Sequence, residues 1–360
     1  MIQLRSISII LAGLSAVKAV PISDAQTPPC DLSSTSCGPV PGESDIYNDY
    51  AGKAAPFPGN STGAIKSTTP EDDPGADDLL FQNLLAAEWV IYSFYQTAVE
   101  TFNASSFIAI GLPNNTYERI TEIRDNEAGH LRIFQDSISS SSVKPGPCKY
   151  EYNLTTPEFF LALQQVIEIT SEAFLTGLVL QAKLDKTKSA MVAIGGIESR
   201  HSAWALIDVW GADPFTGPAE TIFPYANEIL DVTNQFVVPG SCPKENPVYP
   251  RPSQHLPRMN FESDSTTARP GADITFTFTK NPQYQNDKEY YAVFYHGLQK
   301  VSVPFDVKTN RTTIPAAFDS KGLILVVIAD TPGAPYTDTV VAGPLTLLEQ
   351  PSQITLAFGN

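Results

Sequence analysis

Apolar positions recur every three to four residues between about residue 77 and residue 210, and every two residues beyond about 270. The chain therefore reads as a helical part followed by a strand part. The helical part divides into four long helices. They are Asp77–Phe102, a second from about Asn115 to Ser139, a third from Thr155/Thr156 and Pro157 to about Leu184, and a fourth that follows a tight turn at Asp185–Thr187 and ends at Trp210 before Gly211 and Pro214. The second helix has Glu118 three residues beyond Asn115, the spacing of a capping box. In the strand part, Ile274–Thr279, Glu289–His296, Lys300–Thr309, Leu323–Ala329 and Val340–Leu348 alternate between Pro/Gly/Asn turns. That spacing predicts a small antiparallel β-sandwich of immunoglobulin-like type.

The helical stripes carry residues that do not belong in an ordinary core. One stripe reads Leu80, Leu84, Glu88, Ile91, Tyr95, Ala98; another reads Ile120, Ile123, Glu127, His130, Phe134, Ile138. The third holds Leu161, Glu168, Glu172, Leu175, Val179, and the fourth Ala190, Ile194, Glu198, His201, Ala205, Asp208. An inward carboxylate without a partner is costly, so it must pair, protonate or bind a metal. Two of the four histidines stand three residues after a Glu, on the same helix face. One Glu from each of two helices and a Glu-x-x-His from each of the other two form the inward donor set of carboxylate-bridged two-metal bundles. The turn before the fourth helix places Glu172 opposite Glu198, with Glu168 as the alternative donor or as a residue that supports the donors from behind. Tyr95 reads as core packing or a redox tyrosine, and Asp208 as a helix cap or a residue that orients a histidine. Gly129, Gly177, Gly195 and Gly196 lie inside helices, where each costs about 1 kcal/mol against Ala; close helix approach around the site or simple kinking would explain them. His296 reads as a turn or surface residue at a strand end, and His255 falls in a linker.

Composition narrows the setting. A net charge of −16 over 360 residues argues against nucleic acid or an anionic membrane as partner. Residues 1–19 have the form of a secretory leader, with Arg5, an apolar run Ile9–Val17 too short to span a bilayer, and a small-residue cleavage site ending at Ala19. Residues 20–76 read as a Pro/Ser-rich arm, 77–240 as the bundle, 241–269 as a Pro-rich linker, 270–350 as the β-sandwich and 351–360 as a tail or last strand. A further short helix falls within Pro218–Val237. Four cysteines fit an oxidising compartment; three pairings exist, of which Cys30–Cys37 and Cys148–Cys242 together are favoured. Asn60, Asn103, Asn114, Asn153 and Asn310 head glycosylation sequons. The connection Ser140–Thr155 must cross the bundle if the second and third helices run parallel. About 15 extended residues reach roughly 50 Å, more than the roughly 36 Å of a 24-residue helix.

The stretches FQNLLAAEWVIYSFY, EIRDNEAGHLRIF and GGIESRHSAWALIDVWGADPF carry a resemblance. Between about Asp77 and Gly211 the chain resembles the secreted ferritin-like domain proteins of fungi, a stress-responsive group related to plant desiccation-related proteins. The resemblance implies a ferritin-like four-helix bundle with a di-iron or di-manganese centre. The matching positions are Glu88, Glu127, His130, Glu172, Glu198 and His201. Hard carboxylates with one imidazole per metal suit Fe or Mn. Two readings stand at this point. One is a secreted oxidoreductase-like metalloprotein meeting peroxide, dioxygen or Fe(II); the other is a non-catalytic secreted or wall-associated stress protein in which any metal is structural. A ferritin cage fits poorly, because the arm, the glycans and the appended domain obstruct a closed shell.

Overall fold

The computed structural model describes residues 73–215, 217–218, 236–246, 256–262, 269–318 and 322–348. The leader, nearly all of the arm, Cys30, Cys37, Asn60, most of the short helix expected within Pro218–Val237, His255 and the C-terminal tail lie outside the described residues.

Helix α1 spans Asp78–Thr101, α2 Ala104–Ala109, α3 Thr116–Ser137, α4 Pro157–Leu178 and α5 Asp185–Trp204. The four long ones are the expected bundle helices. The short α2 falls in what reads as loop; Asn103 caps it, accepting from the Ser106 amide while the Ser106 hydroxyl accepts from the Asn103 amide. The capping box expected at Asn115 is therefore found one element earlier, and Asn115 itself makes no side-chain cap bond. Helix α4 starts as expected, with Thr156 accepting from the Phe159 amide at 3.2 Å and Pro157 in the first turn. It ends earlier than expected, at Leu178, and tightens into a 3₁₀ turn over Val179–Gln181. Asp185 then begins α5 rather than a turn. The reason is Asp77: its carboxylate accepts from the Lys183 and Leu184 amides at 2.8 and 3.0 Å, fixing the connection at 182–184. Helix α5 runs on as a π turn over Ala205–Val209, and Gly211 turns the chain at φ 59°.

The crossover between α3 and α4 lies along α1. Gln82 donates to the Val143 carbonyl at 2.6 Å, Trp89 to that of Pro145 at 2.9 Å, and Tyr152 to that of Val90 at 2.6 Å. Residue numbers rise together on both segments, so the crossover climbs the length of α1 and α4 starts beside the end of α1. Cys148 is disulfide-bonded to Cys242, tying the crossover to the segment that leaves the bundle. No helix among the described residues is long and apolar enough to cross a membrane.

Beyond the bundle lie β1 (Met259–Phe261), β2 (Asp273–Phe278), β3 (Tyr291–His296), β4 (Gln299–Pro304), β5 (Arg311–Thr313), β6 (Leu323–Ala329) and β7 (Val340–Leu348). They form two antiparallel sheets, β1-β2-β5 and β4-β3-β6-β7. Two strands differ from expectation. Met259–Phe261, read as linker, pairs with β2. The run Lys300–Thr309 stops at Pro304, because Asp306 accepts from Lys308 and Thr309 and closes a turn that sends Arg311–Thr313 to the other sheet.

The central strands β3 and β6 of the four-stranded sheet are buried on both faces. Ala292, Phe294, Ile324, Val326 and Ile328 meet Phe261, Ile274 and Phe276 of the three-stranded sheet. The alternate residues Val293, Tyr295, Leu325, Val327 and Ala329 pack on Ala162, Val166 and Ala173 of α4. This explains why β6 reads as an unbroken apolar run instead of alternating. The strand part is thus seated on the bundle through α4. His296 is fully buried, contrary to its surface reading; its Nδ1 lies 2.9 Å from the Leu323 carbonyl and its ring faces Phe318.

Candidate metal centre

Each bundle helix sends one or two polar side chains to the same depth. Glu88 comes from α1, Glu127 and His130 from α3, Glu168 from α4, and Glu198 and His201 from α5. Glu127, Glu168 and Glu198 have no exposed surface, Glu88 retains 3% and each histidine 4%. One apolar cluster, including Leu85, Leu131, Phe134, Met191 and Ile194, lies on one side of this layer. A second, including Phe94, Phe160, Ile120 and Leu163, lies on the other. The i, i+3 spacing puts Glu127 and His130 on one face, with His130 Nδ1 3.0 Å from Glu127 Oε2.

The six side chains form two overlapping groups. Glu88, Glu127, His130 and Glu198 offer donor atoms all within 4.8 Å of one another, and so do Glu127, Glu168, Glu198 and His201. The two shared carboxylates each turn one oxygen to each histidine. Glu127 Oε2 faces His130 and Oε1 faces His201, both at 3.0 Å. Glu198 Oε1 lies 3.4 Å from His130 Nδ1, and Oε2 3.8 Å from His201 Nδ1. Glu88 Oε1 approaches His130 at 3.5 Å, and Glu168 Oε2 approaches His201 at 3.2 Å.

Electrostatics follow from packing four carboxylates into a dry layer. Burial, with the charge of Glu127, holds Glu88 well above the usual carboxylate range. Burial likewise raises Glu168. Glu127 and Glu198 go the other way: burial opposes their ionisation, but the imidazoles between them outweigh it and keep both below the usual range. Both histidines are raised by the surrounding carboxylates against the effect of burial. Even so, Glu88 Oε1, Glu127 Oε1 and both oxygens of Glu198 make no hydrogen bond and face only the imidazoles. Buried polar atoms are normally satisfied. The orphaned oxygens therefore mark what this donor set fits: cations, held by carboxylate oxygens and imidazole nitrogen together.

Five of the six residues expected as ligands meet here: Glu88, Glu127, His130, Glu198 and His201. Glu172 does not. The α4 member of the cluster is Glu168, the alternative, and Glu172 lies half-buried outside both donor groups. Burial and the charge of Glu198 push its carboxyl up to about 7. Asp208 is exposed on the π turn and orients no histidine in the cluster. That position is filled by Asn126, whose Nδ2 lies 3.2 Å from His201 Nε2. Nothing in the sequence singles out Asn126 except its place beside Glu127. Tyr95 is fully buried, and its hydroxyl donates to Glu168 Oε1. Burial, the Glu168 charge and that hydrogen bond hold its phenol well above the usual value. Three of the four glycines do not mark close helix contacts: a Cβ built at Gly129, Gly195 or Gly196 would meet nothing within 4 Å. Of the sequons within the described residues, Asn103, Asn114 and Asn153 are exposed and Asn310 is half-buried.

Residues 76–207 match the family model described as a ferritin-like domain, a span that holds all six cluster residues. No curated protein matches the chain. The helical unit is a ferritin-like domain, followed by antiparallel sheets.

Proposed function

We propose that the cluster of Glu88, Glu127, His130, Glu168, Glu198 and His201 holds two iron or manganese ions, and that the chain is a secreted redox metalloprotein acting on peroxide, dioxygen or Fe(II) under stress. The observation that carries this reading is the sharing of Glu127 and Glu198 between two donor groups in which four buried carboxylate oxygens make no hydrogen bond. Four carboxylates bring four negative charges, which two dications would balance. Oxygen-rich donors with one imidazole per position suit Fe and Mn over softer metals. When bound, such a pair supplies redox and Lewis-acid chemistry. The protein's own part is positional. Glu127 and Glu198 offer one oxygen to each half, both histidines present Nδ1, and Tyr95 fixes the orientation of Glu168. The apolar layers on either side keep bulk water away. Secretion is supported by the leader-like start, the sequons and the Cys148–Cys242 bond. The immunoglobulin-like assignment of the strand part rests on strand number and sheet pairing.

A specific observation favours a second reading, in which the metal is structural. The cluster is closed over on nearly all sides, and the β-sheet clamps α4, one of the helices that hold it. A wall-associated stress protein needs no more than that. One series of measurements separates the readings. Reconstituted protein is expected to bind about two ions per chain, with Glu127→Ala and His201→Ala binding fewer, and to consume peroxide or oxidise Fe(II). Two bound ions that raise the melting temperature without turnover would assign them a structural role. A wild type that binds neither metal would end the redox reading and leave a non-catalytic protein without a metal.

A further inference from the structure

The cluster is sealed by apolar layers on two sides and by the β-sheet behind α4, so a hydrated cation needs a way in that does not cross hydrocarbon. The packing of α4 on α5 offers a polar route. Gln165 Nε2 donates to Ser202 Oγ at 2.7 Å, and His201 Nδ1 lies 3.2 Å from Glu168 Oε2. These contacts fix the register of the antiparallel pair. Counting about two helical turns from Gln165 forward and from Ser202 back brings Glu172 opposite Gly195.

Both positions are half-buried, whereas their neighbours Glu168, Glu198 and Ile194 are buried. A Cβ at Gly195 would meet nothing within 4 Å, so the missing side chain leaves open space rather than a tight contact. A glycine inside a helix costs about 1 kcal/mol against alanine, and no contact at Gly195 requires it. Behind the gap lies Glu198, both of whose oxygens are buried and unpartnered. Glu172 is close enough to feel its charge. A half-exposed carboxylate beside an open position, with orphaned buried oxygens one turn deeper, is the arrangement that lets a dication exchange its water for protein oxygen in steps.

We propose that the gap between Glu172 and Gly195 is the portal by which a divalent transition-metal cation reaches the buried cluster, and that Glu172 binds the cation in transit. This rests on the metal-centre reading above. It gives Glu172 a role in delivery instead of one among the resident ligands.

The test is stopped-flow uptake of Co(II) by the metal-free full chain, followed by its visible absorption, with final metal content measured by elemental analysis. Glu172→Gln removes the charge; Gly195→Leu fills the gap with a better helix former, whose Cβ meets nothing within 4 Å. Both variants are expected to slow uptake by at least about tenfold and to reach the wild-type cobalt content. Raised ionic strength is expected to slow the wild type more than Glu172→Gln. Wild-type rates in both variants would overturn the portal. A lower final content in Glu172→Gln would also overturn it, by making Glu172 a resident ligand. A wild type that takes up no cobalt, iron or manganese would instead remove the metal-centre reading beneath it.

Discussion

The two halves of the buried cluster share two carboxylates yet are held differently. In the Glu168–His201 half, Tyr95 donates to one oxygen of Glu168, His201 Nδ1 lies 3.2 Å from the other, and Asn126 lies against the far nitrogen of His201. In the Glu88–His130 half, Glu88 Oε1 has no hydrogen-bond partner and comes no nearer to His130 than 3.5 Å. The first half is ordered by the neutral Tyr95 and Asn126, which lie outside the donor groups themselves. The second depends on a cation to satisfy it. Side chains behind the donors matter because they fix orientation before binding, so the two positions should differ in affinity, with the Tyr95 side filling first.

The largest effect should come from removing what the halves share. Glu198→Ala takes an oxygen from both donor groups, and its metal content is expected to fall from about two ions per chain to none. Glu88→Ala touches one group alone and is expected to retain about one ion. Elemental analysis of reconstituted protein checks both. Equal losses in the two variants would show that the halves are not separable. Without metal the order of stability should reverse: Glu88→Ala removes a buried carboxyl with an orphaned oxygen, so the metal-free variant should melt no lower than the wild type.

Tyr95→Phe is a smaller perturbation aimed at the ordered half. It keeps the ring among Phe94 and Phe160 but leaves Glu168 Oε1 without its donor. The expected loss is about 1–3 kcal/mol in the metal-free protein, measured by denaturant unfolding. The same variant should erase the affinity difference between the two positions in a metal titration. If the titration keeps two distinct steps, the asymmetry has another source.

How much of this was legible beforehand follows from the physics of each part. Glu-x-x-His pairs lie within one helix, so their shared face needs only the 3.6 period, and both were readable. The choice between Glu168 and Glu172 depends on how two helices meet. It turned on the connection, which lies at 182–184 and not at 185–187. A turn centred earlier in the chain slides the residue opposite Glu198 back along α4, away from Glu172 and toward Glu168. The bond that sets this connection joins residues over a hundred apart, and no local pattern announces it. The docking of the strands was hidden for a similar reason. The run Leu323–Ala329 states that both faces are buried, but not that Ala162, Val166 and Ala173 cover one of them. His296 was misread because its partner is a backbone carbonyl on a neighbouring strand.

An effect of similar size lies away from the cluster, at the start of α1, where it sharpens the contrast between orphaned and satisfied carboxylates. Asp78 accepts from the Gly75 amide at 2.8 Å, from the Ser139 amide at 3.0 Å and from the Ser139 and Ser142 hydroxyls, so it ties α1 to the end of α3. Burial alone would raise Asp77 and Asp78; their donors outweigh it and hold both below the ordinary aspartate value. A carboxylate whose folded pKa lies below its unfolded value, near 3.9, stabilises the fold fully above that value. The contribution is lost as pH falls through the lower, folded pKa. Wild type should therefore exceed Asp78→Asn by about 1.5–3 kcal/mol at neutral pH, as charge-assisted bonds do. The gap should narrow below about pH 4 as the unfolded-state carboxyl begins to hold its proton. Unfolding curves at pH 7, 5 and 3 measure it. A gap that stays constant across that range would mean that Asp78 acts by shape and not by charge, and that its hydroxyl partners do not distinguish a carboxylate from an amide.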